Sequence, residues 1–436
     1  MTLLQLPVRR IAVWLLLPVF VLHSGCAGLQ VRVPTTDWQD TLGRVAVVSA
    51  GHAADIRFEG FAHGRGEGAA QGAGTTFLAC MGGLGQGGSC SGEFCGAVMI
   101  IMLGICTTAG VIGGVVGAGT AQGAGAVQQR EQLLAGMLQP ATIQDTLVHR
   151  VATRVTAAGG NLAQPPVALL EQARAGQDYR VLAAAGVDTV VEVALTRAGT
   201  AGGGINAPVR LVMQAQVRVV RTADNSARFS ADYEYAGPAL KLQDWSADRG
   251  RALQAGLEAG YAALGSHIHD SIFLLYPFPD RSMHAAGVLA GAFGLAPLAP
   301  ATRGQLTGTA LIGDAFEWTR VDSLHPTLRW QSFPRAGDLE QAPDLAGRIR
   351  NVRYDLVIAR ERNLAPAAIV YWREGLLDAA HTVQDGLQAD SRYFWTVRAR
   401  FDLDGRERVT EWATTNYLAQ ERLTSPSSYS YRFRTP

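Results

Sequence analysis

Residues 94–129 contain no charged side chain. The centre of that run, residues 96–119 (GAVMIIMLGICTTAGVIGGVVGAG), exceeds the roughly 20 apolar residues needed to cross a bilayer. Its glycine content restricts what it can become. Each glycine in a helix costs about 1 kcal/mol relative to alanine, so this stretch is a poor lone helix in water. Small residues recur every fourth place at Gly113, Gly117, Ala121 and Gly125, with a second row at Gly110, Gly114 and Ala118. On a helix each row falls on one face, where small side chains let two backbones approach closely. The spacing predicts a helical hairpin that associates with a membrane or with itself. A hairpin buried in a soluble domain, or a loop, is the other reading. Residues 60–92 before it are also glycine-dense, so the insert runs over about 60–129.

The N-terminus sets the compartment. Arg9 and Arg10 precede an apolar run over 11–22 (IAVWLLLPVFVL), followed by His23, Ser24, Gly25, Cys26 and Ala27. A basic start, a short apolar middle and small residues at the exit describe a secretory signal over 1–25. The Ser24-Gly25-Cys26 ending resembles the lipobox of bacterial lipoproteins. That resemblance implies cleavage before Cys26, a covalent diacylglycerol and acyl chain on Cys26, no other cofactor, and a lipidated tether over 26–42. Ala27 in place of an aspartate implies the outer membrane, with the protein on its periplasmic face. The alternative is an ordinary secretory signal followed by an incidental cysteine.

Export changes how the other cysteines read. Of five cysteines, Cys80, Cys90, Cys95 and Cys106 cluster in one region. Clustered, even-numbered cysteines in an exported chain point to disulfides. Free thiols and a zinc site are the alternatives, the latter disfavoured because no C-x-x-C occurs. Apolar residues make up 48% and charged residues 17%, which is a globular composition. The formal charge is +1, and no basic block suggests a nucleic-acid partner.

Residues 43–280 read as an α+β domain around the insert. Residues 44–49 (RVAVVS) form a strand. Leu138, Ile143, Leu147, Val151 and Val155 keep helical spacing, and a short helix covers 179–185. Strands follow at 189–195 and 208–221. In the second, Val209, Leu211, Met213, Ala215, Val217 and Val219 alternate with polar residues. Residues 228–235 pair with it across a turn at Asp224 and Asn225. Trp245 leads a long helix with a stripe of Leu253, Leu257, Leu264, Ile268 and Ile272. The set RVAVVS, AGVDTVVEVAL at 185–195, the alternating strand, and Trp245-Ser246 before a helix ending in IFLLYP resembles lipoproteins related to the curli-secretion channel subunit and to transport-auxiliary lipoproteins.

Residues 281–318 read as a linker, and 319–436 as all-β. Short alternating strands lie at 326–330, 353–360 and 391–401, with Leu387 placed for a tyrosine corner at Tyr393. The pattern P-x-L-x-W, YDLVI and L-x5-Y-x-W-x-V-x-A resembles a fibronectin type III domain, which implies a β-sandwich used as a spacer or docking surface.

No phosphate loop, nucleophile elbow or H-E-x-x-H motif is present. Residues 199–204 (GTAGGG) read as a hairpin loop. His267 and His269 stand near Asp270, but residues two apart on a helix do not share a face, so they make a poor metal pair. His52 and His63 have no supporting spacing, and His149 reads as a helix-surface residue. The chain is therefore expected to be a non-enzymatic envelope scaffold or accessory factor in transport, secretion or assembly. Its expected partners are membrane lipid, other envelope proteins and, through the glycine-rich segment, further copies of itself. An oligomeric outer-membrane channel or secretion subunit using 96–125 is the alternative.

Overall fold

Alternating apolar residues at 209–219 build the centre of the first sheet. The computed structural model describes residues 39–51, 53–59, 124–202, 207–276, 294–300, 318–361, 368–413 and 431–436. They lie within one compact unit, Thr35–Pro436. Strands β1 (Val45–Ser49) and β2 (Asp55–Phe58) lie end to end along one edge of β3 (Thr189–Ala201), both parallel to it. β3, β4 (Val209–Arg221) and β5 (Ser226–Leu240) continue as an antiparallel meander. Every member of the set Val209, Leu211, Met213, Ala215, Val217 and Val219 is buried, as the two-residue period requires.

Helices cover that apolar face. Between β2 and β3 come α1 (Ala124–Met137) and α2 (Pro140–Ala157), which lie on it, and α3 (Val167–Gly176) with a 3-10 turn over Tyr179–Ala185, which pack with Val190 and Val220 in a separate core; after the meander α4 (Leu242–His269) returns to the first face. Ile143, Leu147, Val151 and Val155 of α2 and Leu253, Leu257, Leu264 and Ile268 of α4 share one core with the sheet. α4 approaches closely because Gly256 and Gly260 carry no side chain. A Cβ on Gly260 would lie 2.3 Å from Met213 Sδ. The expected long helix after Trp245 is broken at Ala247–Gly250, where the backbone leaves helical values. Trp245 itself is anchored by its indole N–H, which donates to the Val209 carbonyl at 3.1 Å.

The glycine-rich 199–204 stretch differs from the expected hairpin loop. β3 runs through Gly199 and Thr200 to Ala201. Gly199 has φ +153°, and a Cβ there would sit 1.7 Å from the Arg57 carbonyl oxygen of β2. This glycine permits close backbone approach, which is the other meaning of glycine within a strand.

The C-terminal part has two sheets over a second core. One has the order β10-β9-β12-β14-β7: β7 (Thr319–Arg320), β9 (Ile349–Ala359), β10 (Ile369–Leu376), β12 (Arg392–Leu403) and β14 (Tyr431–Arg434), with β13 (Arg406–Val409) also on β12. The other has the order β11-β8-β6: β6 (Pro297–Ala299), β8 (Thr327–Trp330) and β11 (Ala380–Thr382). Trp330 from the smaller sheet meets the rings of Tyr354 and Trp395 from the larger and shares one core with Leu356, Val397 and Phe433. β6 corrects the expected linker over 281–318. Leu295 is buried in this core and Gln331 N–H donates to the Ala296 carbonyl, so this short piece is recruited as a strand. The expected tyrosine corner is present: the Gln388 amide donates to the Tyr393 hydroxyl at 2.9 Å. The whole is mixed α and β with several sheets.

Candidate functional site

Cys26, Cys80, Cys90, Cys95, Cys106, Gly113, Gly117 and Ala121 lie outside the described residues. Gly125 stands in the first turn of α1 and is exposed, with no described atom within 4 Å of an added Cβ. Among the described residues no helix is long and apolar enough to cross a membrane.

The densest polar chemistry among the described residues sits where the two cores meet. α4 ends in a π-helical turn, Asp270–Leu274. An acid at a helix C-terminus opposes the helix dipole, and Asp270 is buried besides. The compensation comes from the other core. Arg398 of β12 is buried, and its Nη1 donates to Asp270 Oδ2 at 2.7 Å while its Nε donates to Asp355 Oδ2 at 2.9 Å. Arg400 reaches the same Asp355 oxygen at 3.2 Å, and the Gly375 amide donates to Asp355 Oδ1 at 3.3 Å. The Arg398 guanidinium also lies 4.6 Å from the centre of the Trp412 ring. Burial pushes the Asp270 carboxyl up, but Arg398 and the hydrogen bond to His269 outweigh it and hold it well below the ordinary carboxylate range.

Backbone and rim contacts extend the junction. Leu275 bridges Val409, and the Tyr276 amide donates to the Val409 carbonyl at 2.9 Å. Arg408 donates to the Phe273 carbonyl at 3.0 Å and to Asp40 at 2.8 Å. Gln39 donates to the Ser271 carbonyl at 3.1 Å. Further out, Arg210 pairs with Glu361 at 2.7 Å.

His267 and His269 belong to this junction. His269 is buried, its Nδ1 lies 3.3 Å from Asp270 Oδ1, and its ring stacks on Phe273 at 5.5 Å. Burial lowers the His267 imidazole to about 4, with Arg398 and Arg154 adding to the effect and Asp270 opposing it. Among the described residues no group of three or more His, Cys, Asp or Glu is placed to hold a metal ion. His149 is exposed on α2, as expected; His52 and His63 lie outside the described residues.

Sequence reasoning missed Asp355, Arg398 and Arg400. The available signal was one charge inside the apolar run YDLVI and two inside WTVRARF. Alternation placed these charges on a face away from the core, and that face reads as solvent. A second buried pair lies elsewhere. The Tyr179 hydroxyl donates to Glu192 at 2.5 Å, with Arg218 at 3.5 Å from the same carboxylate. Burial and Glu192 push the Tyr179 hydroxyl far up, so it stays a hydrogen-bond donor.

No family model matches the chain, and no curated protein matches it. Among solved structures it is similar to a lipoprotein from Neisseria meningitidis, at 15% identity and a TM-score of 0.18, over 27% of this chain and 85% of that one.

Proposed function

We propose that the chain is a non-enzymatic, lipid-anchored envelope protein. It is tethered through Cys26 to the outer membrane, faces the periplasm, and acts as a scaffold or accessory factor in envelope transport, secretion or assembly. The observation that carries the scaffold reading is the junction. Its buried charges are spent on one another, Arg398 bridging Asp270 from one core and Asp355 from the other. Such a network holds two bodies in a fixed relation, and coupling fixed bodies is what a spacer or docking platform needs. The anchor reading is supported by Ser24-Gly25-Cys26 behind a short apolar run.

The C-terminal part is read as a fibronectin type III-like sandwich. Supporting this are the sheet orders β11-β8-β6 and β10-β9-β12-β14 and the Tyr393 corner. Such domains are interaction modules. For the first part, the succession of β1, the crossover helices, the β3-β4-β5 meander and α4 supports the likeness to transport-auxiliary lipoproteins. In an oxidising compartment Cys80, Cys90, Cys95 and Cys106 are read as disulfide-bonded, and the glycine-rich segment as the route to self-association.

Replacement of Cys26 tests the anchor. Cys26→Ser abolishes incorporation of labelled palmitate and moves the protein out of the outer-membrane fraction. A Cys26→Ser protein that still takes up palmitate and still fractionates with that membrane overturns the reading. A wild-type chain that forms conducting rings in planar bilayers, lost on deletion of 96–125, establishes the channel reading in its place.

A further inference from the structure

One end of the six-stranded sheet gathers positive charge across three adjacent strands. Arg392 of β12 pairs in register with Arg434 of β14, and Arg434 pairs with Arg320 of β7. Directly paired residues share a face, and neighbouring strands are about 4.8 Å apart, so three arginines stand abreast over about 10 Å. One step along, Arg432 of β14 faces Phe394 of β12. Like charges placed directly opposite one another weaken a sheet. The described partner of this row is Asp390, which is exposed and pairs with Arg434. Arg320 and Arg392 have no carboxylate partner among the described residues.

An indole underlies the row. Trp318 precedes β7, its ring centre 5.1 Å from the Arg392 guanidinium and 5.5 Å from that of Arg432, with Phe394 edge-on at 5.2 Å. Guanidinium groups laid over an indole are held by cation–π attraction while keeping N–H donors for phosphate oxygens. Arg320 and Arg392 are exposed and Trp318 is half-buried. The row is spread across the end of one sheet face, where Arg320 and Arg392 are exposed and Arg434 is half-buried. That shape suits a surface bearing many phosphates better than one enclosed ion, and an arginine-plus-tryptophan pairing is the composition of membrane-interface anchors.

We propose that the Arg320–Arg434–Arg392 row, backed by Trp318, binds the phosphate headgroups of an anionic bilayer. This rests on the envelope reading above and adds a second, reversible contact between the C-terminal sheets and lipid. The experiment uses the full chain carrying Cys26→Ala, so that acyl chains contribute nothing. Co-sedimentation is measured with phosphatidylcholine vesicles, with and without phosphatidylglycerol. Binding is expected to need phosphatidylglycerol. At about a fivefold loss per arginine, Arg320→Gln alone weakens it about fivefold, and Arg320→Gln with Arg392→Gln and Arg434→Gln weakens it roughly a hundredfold. Circular dichroism checks the fold of the triple variant, and the exposed single variant carries the test if the triple one unfolds. Equal binding to both vesicle types, or binding unchanged by these substitutions, overturns the proposal. Full displacement by inorganic phosphate at constant ionic strength also overturns it, identifying a free phosphate site instead. Palmitate uptake by the wild-type chain reports on the anchor separately, so the two readings fail independently.

Discussion

At Gln144 a side chain fills a gap in a sheet edge. β1 and β2 occupy successive stretches of the β3 edge, and between them the β3 backbone at Val193–Leu195 needs another partner. Gln144 is buried on α2; its Oε1 accepts from the Leu195 amide at 2.6 Å and its Nε2 donates to the Val193 carbonyl at 2.7 Å. The Val193 carbonyl also accepts from the Ala50 amide, so the group that depends on Gln144 is the Leu195 N–H. Gln144→Leu is expected to cost about 1–3 kcal/mol, the penalty for a buried unpaired amide, read as a lower urea midpoint at unchanged slope. Gln144→Glu can accept from Leu195 but sets an oxygen against the Val193 carbonyl, and should be worse. The sequence reading placed Leu147, Val151 and Val155 on the buried stripe and passed over Gln144. A lone amide in a helix looks like any wet-face residue until the strand it serves is known.

At the scale of elements, the period of apolar residues located most strands and helices. Strand β4, the 3-10 turn at Tyr179–Ala185 and helix α2 emerge close to where spacing puts them. Even the corner at Tyr393 was legible, because Leu387 and Tyr393 are local in sequence. Its hydroxyl accepts from the Gln388 amide across five residues. Tyr393→Phe removes that bond without emptying the core. It is expected to cost about 1 kcal/mol, seen as a fall of a few degrees in melting temperature with unchanged far-ultraviolet dichroism. What spacing did not disclose was contact between distant elements. Asp270 and Arg398 are 128 residues apart and meet only because the end of α4 packs on β12. β6 escaped notice for a similar reason: Pro297–Ala299 has no alternation of its own and becomes a strand only by joining β8. The glycine of β3 was misassigned because a strand glycine that admits a neighbouring backbone resembles a turn glycine by composition alone.

For the whole molecule, stability should depend on the junction charges. Arg398→Met leaves Asp270 and Asp355 buried without their shared cation. The expected loss is about 3–5 kcal/mol by urea unfolding, and Arg398→Lys should not restore it, since an ammonium lacks the fork that bridges two carboxylates. The same region predicts an acid sensitivity. The His267 imidazole falls from 6.5 unfolded to about 4 folded, so the unfolded chain takes up its proton first as pH drops. Stability from this group is therefore full above about 6.5, declines between 6.5 and about 4, and amounts to about 3 kcal/mol at most. The Asp270 carboxyl is depressed below its ordinary 3.8, so its contribution is present above that value and is lost only at more acid pH. Urea midpoints measured from pH 7 to 4.5 should fall for the wild type and fall less steeply for His267→Gln. Parallel slopes would show that His267 titrates normally in the folded protein.

The sharing of one side of β12 between β13 and β14 has a practical consequence. Pairing on β12 continues past β13, with the Ala413 amide donating to the Val397 carbonyl, and resumes at Tyr431 opposite Trp395. Ala413 and Tyr431 thus meet β12 at points two residues apart, about 7 Å along the strand. A guest polypeptide whose own ends sit about that close matches the spacing of Ala413 and Tyr431 and asks for no change of register on β12. Doubling the length of a flexible connection costs only about 0.6 kcal/mol of closure entropy. For anyone wishing to fit this protein with an epitope, a fluorophore or a whole guest domain, the side of β12 between Ala413 and Tyr431 is the natural port.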